Sequence, residues 1–370
     1  MKKPIFLLIL LTATLTNFAQ TTNDIFDLLI KNKTITQEQA DSVRAEAAIK
    51  QQDVDANKKV FFTIAGRAIQ LAGYTQVRYR FLQESGKNDG FDVRRARIDV
   101  RGSVSPYFSY RLQTDLASAP KLLDAYGEIK ISDYLNFTIG QTKIPFSFEN
   151  LASSNKIETT DRSQVVEALV VRGKDVIGNQ NGRDIGVQVG GSFGKYGQRF
   201  LFDYKVGIFN GAGINQEDKN KNKDIVGRLV THPFIGLDLG GSYYTGTGNF
   251  GTPTPTNQDR NRYGLELNYE YQRFSARGEF IEGKDGAIKR NGWYAQGGYF
   301  IIPARLQLIL KYDTYDANTD ITKNISTAYL IGGTYQFNNW SRIQAGFTVN
   351  KEEGPEFANN LGVIQYQISF

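Results

Sequence analysis

From about Ile69 onward the chain repeats a single pattern: runs of roughly ten residues in which apolar and polar side chains alternate, each closed by turn-forming residues. Alternation with period two puts the apolar residues of a run on one face of a strand and the polar ones on the other. Near 74–81, Thr75, Val77, Tyr79 and Phe81 interleave with Gln76, Arg78 and Arg80. Around 107–116, Phe108, Tyr110, Leu112 and Leu116 alternate with Ser109, Arg111, Gln113 and Asp115. At 304–313, Leu306, Leu308, Leu310 and Tyr312 alternate with Arg305, Gln307, Lys311 and Asp313. Counted this way there are about 16 segments. They begin near Ile69, Phe91, Tyr107, Lys121, Tyr134, Arg183, Gln198, Lys223, Ile235, Asn261, Arg273, Lys289, Ala304, Ser326, Ser341 and Asn360. An even number of alternating segments is the expectation for a bacterial outer-membrane barrel, whose closed sheet leaves no backbone unpaired in lipid.

The connections test this independently. After even-numbered segments they are short: Ser105-Pro106, Ser132-Asp133, Gly194–Gly197, His232-Pro233, Gln272-Arg273, Pro303 and Asn338-Asn339. After odd-numbered ones they are mostly longer and more polar, as at Gly211–Asn222, Thr247–Asp259, Ala317–Asn324 and Glu352–Asn359. Short periplasmic turns alternating with long outer loops are how such barrels are built. In the last segment Ile364, Tyr366, Ile368 and Phe370 share a face, and a terminal phenylalanine there resembles the assembly signal of Gram-negative outer-membrane proteins. The fold class expected is all-β: a 16-stranded antiparallel transmembrane β-barrel with a short N-terminal helical segment.

Composition fits and excludes. The 20 Tyr, 24 Phe and 37 Gly suit sheets that are apolar outside and wet inside. With 44 basic and 38 acidic residues the net charge of +6 is too mild and too dispersed for a nucleic-acid binder. Cysteine is absent and His232 is the only histidine, which excludes disulfides, thiolate or multi-histidine metal sites and cysteine nucleophiles. No cofactor, metal or enzymatic activity is expected; a barrel phospholipase would need its histidine beside a serine at the membrane edge, whereas His232 precedes Pro233 in an expected periplasmic turn. Lys2 and Lys3, then an apolar run from Ile5 to Leu15 and Ala19, read as a signal peptide over 1–19. Residues 20–60 read as a short periplasmic helical segment, with Phe26, Leu29 and Ile30 at helical spacing and a capping-box pattern at Thr36 and Gln39, or else as a linker. That leader is too small for the plug of an energy-coupled transporter. Residues 61–370 form the expected barrel domain, with a long inward loop at about 146–182.

If the apolar face meets lipid, the opposite parity lines the lumen. In the second segment Ala96, Ile98, Val100, Gly102 and Val104 face out, and Arg95, Arg97, Asp99 and Arg101 face in. The first adds Arg78 and Arg80, the third Arg111 and Asp115, and the fourth Asp124, Glu128 and Lys130 opposite Leu123, Ala125, Ile129 and Ile131. Arginine keeps its charge and grips oxyanions through two parallel bonds, so rows of it in a narrow pore let anions step from site to site. A ladder facing acids would instead only set a field across a non-selective pore. Lys156, Arg162 and Arg172 in the long loop, and Lys143 before it, are candidate channel-facing cations; each alone also reads as a solvated charge, and Glu149, Glu158, Asp161 and Glu167 dilute them.

The stretch from Phe91 through Leu169 resembles the phosphate-selective porin O/P family. The residues that carry this are Phe91-Asp92-Val93-Arg94-Arg95-Ala96-Arg97-Ile98, Tyr110-Arg111-Leu112-Gln113-Thr114-Asp115, Asp124-Ala125-Tyr126, Gly140-Gln141-Thr142-Lys143-Ile144-Pro145-Phe146-Ser147 and Asp161-Arg162-Ser163. The resemblance implies a barrel, commonly a homotrimer in outer-membrane lipid, that passes phosphate or related small anions by diffusion. It places Arg94 and Arg95 in the binding motif, with Lys143 and Arg162 as matches and either Asp115 or Asp124 as the aspartate. Parity puts Arg95 in the lumen and Arg94 on the apolar face, unless the strand carries a bulge there. The function expected is an outer-membrane channel for small anions; a general diffusion porin and a closed structural or adhesive barrel are the alternatives.

Overall fold

The computed structural model describes residues 29–32, 34, 60–64, 67–355 and 357–370. Residues 1–49 and 50–370 form two compact units. In the first, the described residues make one helical turn, closed by Thr34 N donating to Leu29 O at 2.9 Å. The expected signal peptide and nearly all of the expected helical segment lie outside the described residues.

The second unit is a sheet of 17 strands. They are β1 (Val60–Ile64), β2 (Arg67–Leu82), β3 (Gly90–Ser105), β4 (Phe108–Asp115), β5 (Lys121–Ser132), β6 (Leu135–Lys143), β7 (Arg183–Tyr196), β8 (Arg199–Phe209) and β9 (Asp224–Phe234). There follow β10 (Leu237–Phe250), β11 (Thr256–Tyr271), β12 (Phe274–Asp285), β13 (Ile288–Ile302), β14 (Leu306–Asp316), β15 (Ile325–Asn338), β16 (Ser341–Glu352) and β17 (Leu361–Ser369). From β2 on, each strand pairs antiparallel with the next, and β17 pairs with β2, so β2–β17 close a 16-stranded barrel. All sixteen expected segments are strands, and the largest offset is at β11, expected near Asn261 and beginning at Thr256. The short β1 pairs with β2 where β17 has ended, covering that edge, and it was not expected.

Closure depends on a small residue. Gly73 and Phe370 exchange backbone hydrogen bonds (N to O 3.0 and 2.9 Å), and a Cβ at Gly73 would lie 2.4 Å from the Phe370 ring. On the outer surface Val187, Val206, Leu229, Leu265, Leu310 and Ile331 are exposed as a band of aliphatic side chains. Tyr107, Tyr134, Tyr196, Phe234, Tyr271, Phe274 and Trp340 ring the short-turn end. An exposed apolar belt with an aromatic girdle is the surface that lipid and its headgroup boundary require.

Two details of the turns depart from the sequence reading. His232-Pro233 is not a turn: both residues lie within β9, and the turn is Ile235-Gly236, with Gly236 at φ +84°. His232 instead places its two ring nitrogens 2.7 Å from Asp238 and 3.1 Å from Asp203. The β12–β13 connection, on the long-loop side, is only Gly286-Ala287.

The loop between β6 and β7 folds into the lumen and carries two short helices, α1 (Phe148–Leu151) and α2 (Gln164–Leu169). Ile144, Phe146, Val165, Val166, Ala168, Leu169, Val170 and Val171 pack with Phe209, Val226, Tyr244, Ile281 and Tyr294 of the wall as a buried apolar cluster.

Candidate functional site

Inward parity holds where the strands are regular: Arg95, Arg97 and Asp99 are buried while Ile98 is exposed, and before the bulge Phe91 and Val93 are exposed instead. Arg94 does not follow regular parity, because β3 bulges there. Gln76 pairs with Arg95 and the next residue, Val77, with Val93, so Arg94 is the extra residue. Its guanidinium reaches the inward loop, with Nη2 donating to Asp161 Oδ1 at 2.9 Å. A second bulge sets Leu123 between the pairs Gln113–Asp124 and Thr114–Leu122. Leu123 is therefore fully buried beside Asp124 rather than on the lipid face.

The candidate residues fall into two sets by partner. Six arginines meet carboxylates. Arg78 grips Asp92 through two bonds of 2.7 and 3.1 Å, and Arg80 reaches the same carboxylate at 3.1 Å. Arg94 holds Asp161, and Arg97 holds Asp115 at 2.8 Å. Arg101 and Arg111 share Asp99, at 2.6 and 2.7 Å, and Arg111 also reaches Asp124 at 3.1 Å. Asp124 takes two further bonds from Arg183, at 2.6 and 3.0 Å, so both candidate aspartates are already engaged.

The second set meets only neutral oxygens. Arg95 Nη1 donates to Gln76 Oε1 at 2.7 Å. Lys143 Nζ donates to the Leu151 and Ala152 carbonyls at 2.8 and 2.9 Å. Arg162 donates from Nε to Glu149 O (2.9 Å) and from Nη2 to Ala152 O (3.1 Å) and Ser154 Oγ (3.3 Å). Arg172 wraps Asn150 through its side-chain and main-chain oxygens. That pocket requires glycine at 182: a Cβ there would lie 1.7 Å from Asn150 Oδ1, and its φ is +70°.

These cations are contiguous. Lys143 and Arg162 share Ala152 O, and Arg97 joins Arg162 on Ser154 Oγ. Arg162 Nη1 is buried among them without a hydrogen-bond partner. Burial pushes the Arg172 guanidinium well below its usual range, and Arg162 pushes it the same way. Burial also lowers Arg162, against the pull of Glu149 and Glu167. Cations short of counter-charge, with an orphan N–H among them, are groups that a negatively charged acceptor would satisfy.

The opposite wall differs. Glu158 accepts from Ser275 (2.9 Å), Gln296 (2.5 Å) and Gln307 (2.7 Å), and Glu149 accepts from Ser163 (2.8 Å to N) and Lys311 (3.2 Å). Deeper in the loop, Asp175 pairs with Arg260 at 2.9 Å beside the Arg262–Asp285 pair at 2.5 Å, all four side chains inaccessible or nearly so.

Arg183 and Arg342 were missed as site residues. Arg183 opens β7 immediately after the loop, and Arg342 alternates with Ile343 at the start of β16. In both cases the inward parity was readable and the engagement with the loop was not. Lys156 is exposed.

A closed 16-stranded barrel with an apolar belt, an aromatic girdle, a polar interior and a strand-connecting loop folded inside defines a porin of the Gram-negative outer membrane, a channel protein. The chain belongs to the phosphate-selective porin O and P family, whose profile matches residues 62–250 and 237–362. Comparison with curated protein sequences finds no match. Among solved structures it is similar to the anion-selective porin of Comamonas acidovorans, with a TM-score of 0.61 at 13% identity over 82% of this chain and 100% of that one. It is similar to Salmonella typhi OmpF in complex with daunomycin, at TM-score 0.63 and 10% identity over 84% and 100%. Vibrio cholerae OmpT, described in a trimer form, gives 0.57 at 14% over 82% and 99%. At these identities the likeness concerns the fold.

Proposed function

We propose that this channel carries small anions, phosphate or related oxyanions among them, past a constriction formed by Arg162 and Arg172 of the inward loop and Arg95 and Lys143 of the wall. The observation that carries the reading is the buried, unpartnered Arg162 Nη1 within a set of cations whose acceptors are all neutral. An oxyanion entering there replaces contacts between a cation and a neutral carbonyl with contacts between opposite charges. The six carboxylate-paired arginines contribute orientation and field rather than binding, because their charge is spent on Asp92, Asp99, Asp115, Asp124 and Asp161. That pairing is also what favours the second reading, a general diffusion porin with a transverse field. The family and the trimeric OmpT support assembly as a homotrimer.

The test is reversal potential in a salt gradient across a planar bilayer, followed by addition of phosphate to a chloride current. Anion preference with phosphate block at millimolar concentration or below is expected, and Arg162→Ala should lower both. A reversal potential near zero without phosphate block would leave the general porin.

A further inference from the structure

We propose that Arg342, joined through Gln367 and Gln76 to Arg95 of the constriction, forms with it a second anion-binding position on the short-turn side of the inward loop, Arg95 being shared between the two; this rests on the anion-channel reading. The four residues are direct cross-strand partners: Arg342 lies opposite Gln367, Gln367 opposite Gln76, and Gln76 opposite Arg95. One lumen-facing row therefore crosses β16, β17, β2 and β3, and it is buried throughout, with Arg342 at 8% exposure and Arg95 at 7%.

Hydrogen bonds run along the row. Arg342 Nη2 and Gln76 Nε2 both donate to Gln367 Oε1, at 3.1 and 2.8 Å, and Arg95 Nη1 donates to Gln76 Oε1 at 2.7 Å. Both guanidiniums thus end on neutral oxygens, and Arg342 has one other acceptor, Ile157 O at 3.2 Å. Among the described residues neither is in an ion pair, and Arg342 Nε is buried with no partner at all. Two buried cations without counter-charge, one with an orphan N–H, are expensive in a dry protein and inexpensive beside a mobile anion.

The loop lies over the row as a roof. Gln76 donates to Ser154 O, Gln367 to Asn155 O, and Arg342 and Gln344 to Ile157 O. Arg342 is the second residue of β16, just past the short turn, so this end of the row lies nearest that end of the barrel. At its other end, Gln76 is fastened to the same Ser154 whose hydroxyl receives Arg97 and Arg162. An oxyanion leaving the Arg162–Lys143 group is received by Arg95 and released past Arg342.

The experiment uses the full chain in an oriented planar bilayer, with inorganic phosphate added to one chamber at a time against a chloride current. Arg342→Gln retains an amide donor for Ile157 O and removes the charge; Arg342→Lys keeps the charge. Arg342→Gln should weaken block by phosphate entering from the short-turn side about tenfold, the worth of one charged hydrogen bond. Block from the long-loop side should change less, and Arg342→Lys should stay close to wild type on both sides. Barrel closure is checked for each variant by its heat-modifiable gel mobility. Unchanged block in a folded Arg342→Gln channel would overturn the inference and leave the anion reading standing. Equal losses in both variants from both sides would make Arg342 a pin for the loop, and would overturn it too. Absence of phosphate block in the wild type would overturn the anion reading and this inference with it.

Discussion

Against β9–β14 the inward loop is buried the way a protein core is buried; against β2–β6 it is held the way a ligand is held. On the first side Val165, Val166 and Leu169 are fully enclosed, Asp175 meets Arg260 and Glu149 meets Lys311, while Glu279 and Asp313 accept loop backbone N–H groups. On the second side Lys143 of β6 grips the Leu151 and Ala152 carbonyls, the loop's own Arg162 and Arg172 turn onto oxygens of residues 149–152, and none of the three has a carboxylate bound. Apolar burial with balanced ions fixes a position; cations on carbonyls leave charge available for something else. The difference teaches that one loop is anchored by one wall so that the other can remain electrostatically unfinished.

The comparison breaks if mutations on the two walls have the same consequences. The largest effect is expected from Asp285→Asn, which strips the counter-charge from Arg262, Arg260 and Arg290 at once. It should cost about 3–5 kcal/mol, the usual result of orphaning buried charge, read as a lower thermal unfolding temperature in detergent with ion selectivity retained. Leu169→Ala should cost about 3 kcal/mol by leaving a cavity in the loop's apolar anchor. A loss of anion preference without a loss of stability in either variant would contradict the division. Lys143→Met tests the other wall: anion preference should fall severalfold while stability stays within about 1 kcal/mol of wild type or rises, since a buried unpaired charge has been removed. A large drop in unfolding temperature would show that Lys143 is an anchor after all.

Acid sharpens the same contrast. Burial alone would raise the Glu149 carboxyl, but Lys311 and the Ser163 N–H hold it below the ordinary glutamate value of 4.5. A carboxyl lowered in the folded state stabilises the fold above the unfolded-chain value and loses that contribution as pH falls through the lower, folded one. The hydrogen-exchange protection of Ser163, corrected for the intrinsic pH dependence of exchange, should therefore be flat from pH 7 to 5 and fall only below about pH 4. A fall already at pH 6 would place the sensitive group elsewhere. The smallest effect belongs to Arg94→Gln, whose pair with Asp161 is about one-third exposed and should be worth less than about 1 kcal/mol.

The barrel was legible because its signal is simple: a period of two, repeated with turns, is dictated by lipid on one side and water on the other. Parity alone also placed Arg95, Arg97, Asp99 and Arg111 on the inner face. What escaped depends on register between strands. The bulge at Arg94 arises because β2 and β3 are out of step by one residue, and neither strand's own sequence announces it; Leu123 was assigned to the wrong face for the same reason. Pairing of Arg111 with Asp99, or of Arg183 with Asp124, is likewise a property of neighbouring strands. The loop's charges were visible in the sequence, but which were spent on carboxylates and which on carbonyls was decided by how it packs.

The Arg342–Gln367–Gln76–Arg95 row lies across the β17–β2 seam, where Gln76 and Gln367 meet over a separation of 291 residues. Contacts that distant are the slowest for a chain to find, because a large loop must be ordered before the contact returns any stability. A partly zipped sheet can hold every hairpin from β2 to β17 and still lack the link that joins the two halves of this row. Completion of the sheet and creation of the row are thus a single event, so an assembly intermediate has no working copy of it, and conduction through this position becomes a readout of closure itself.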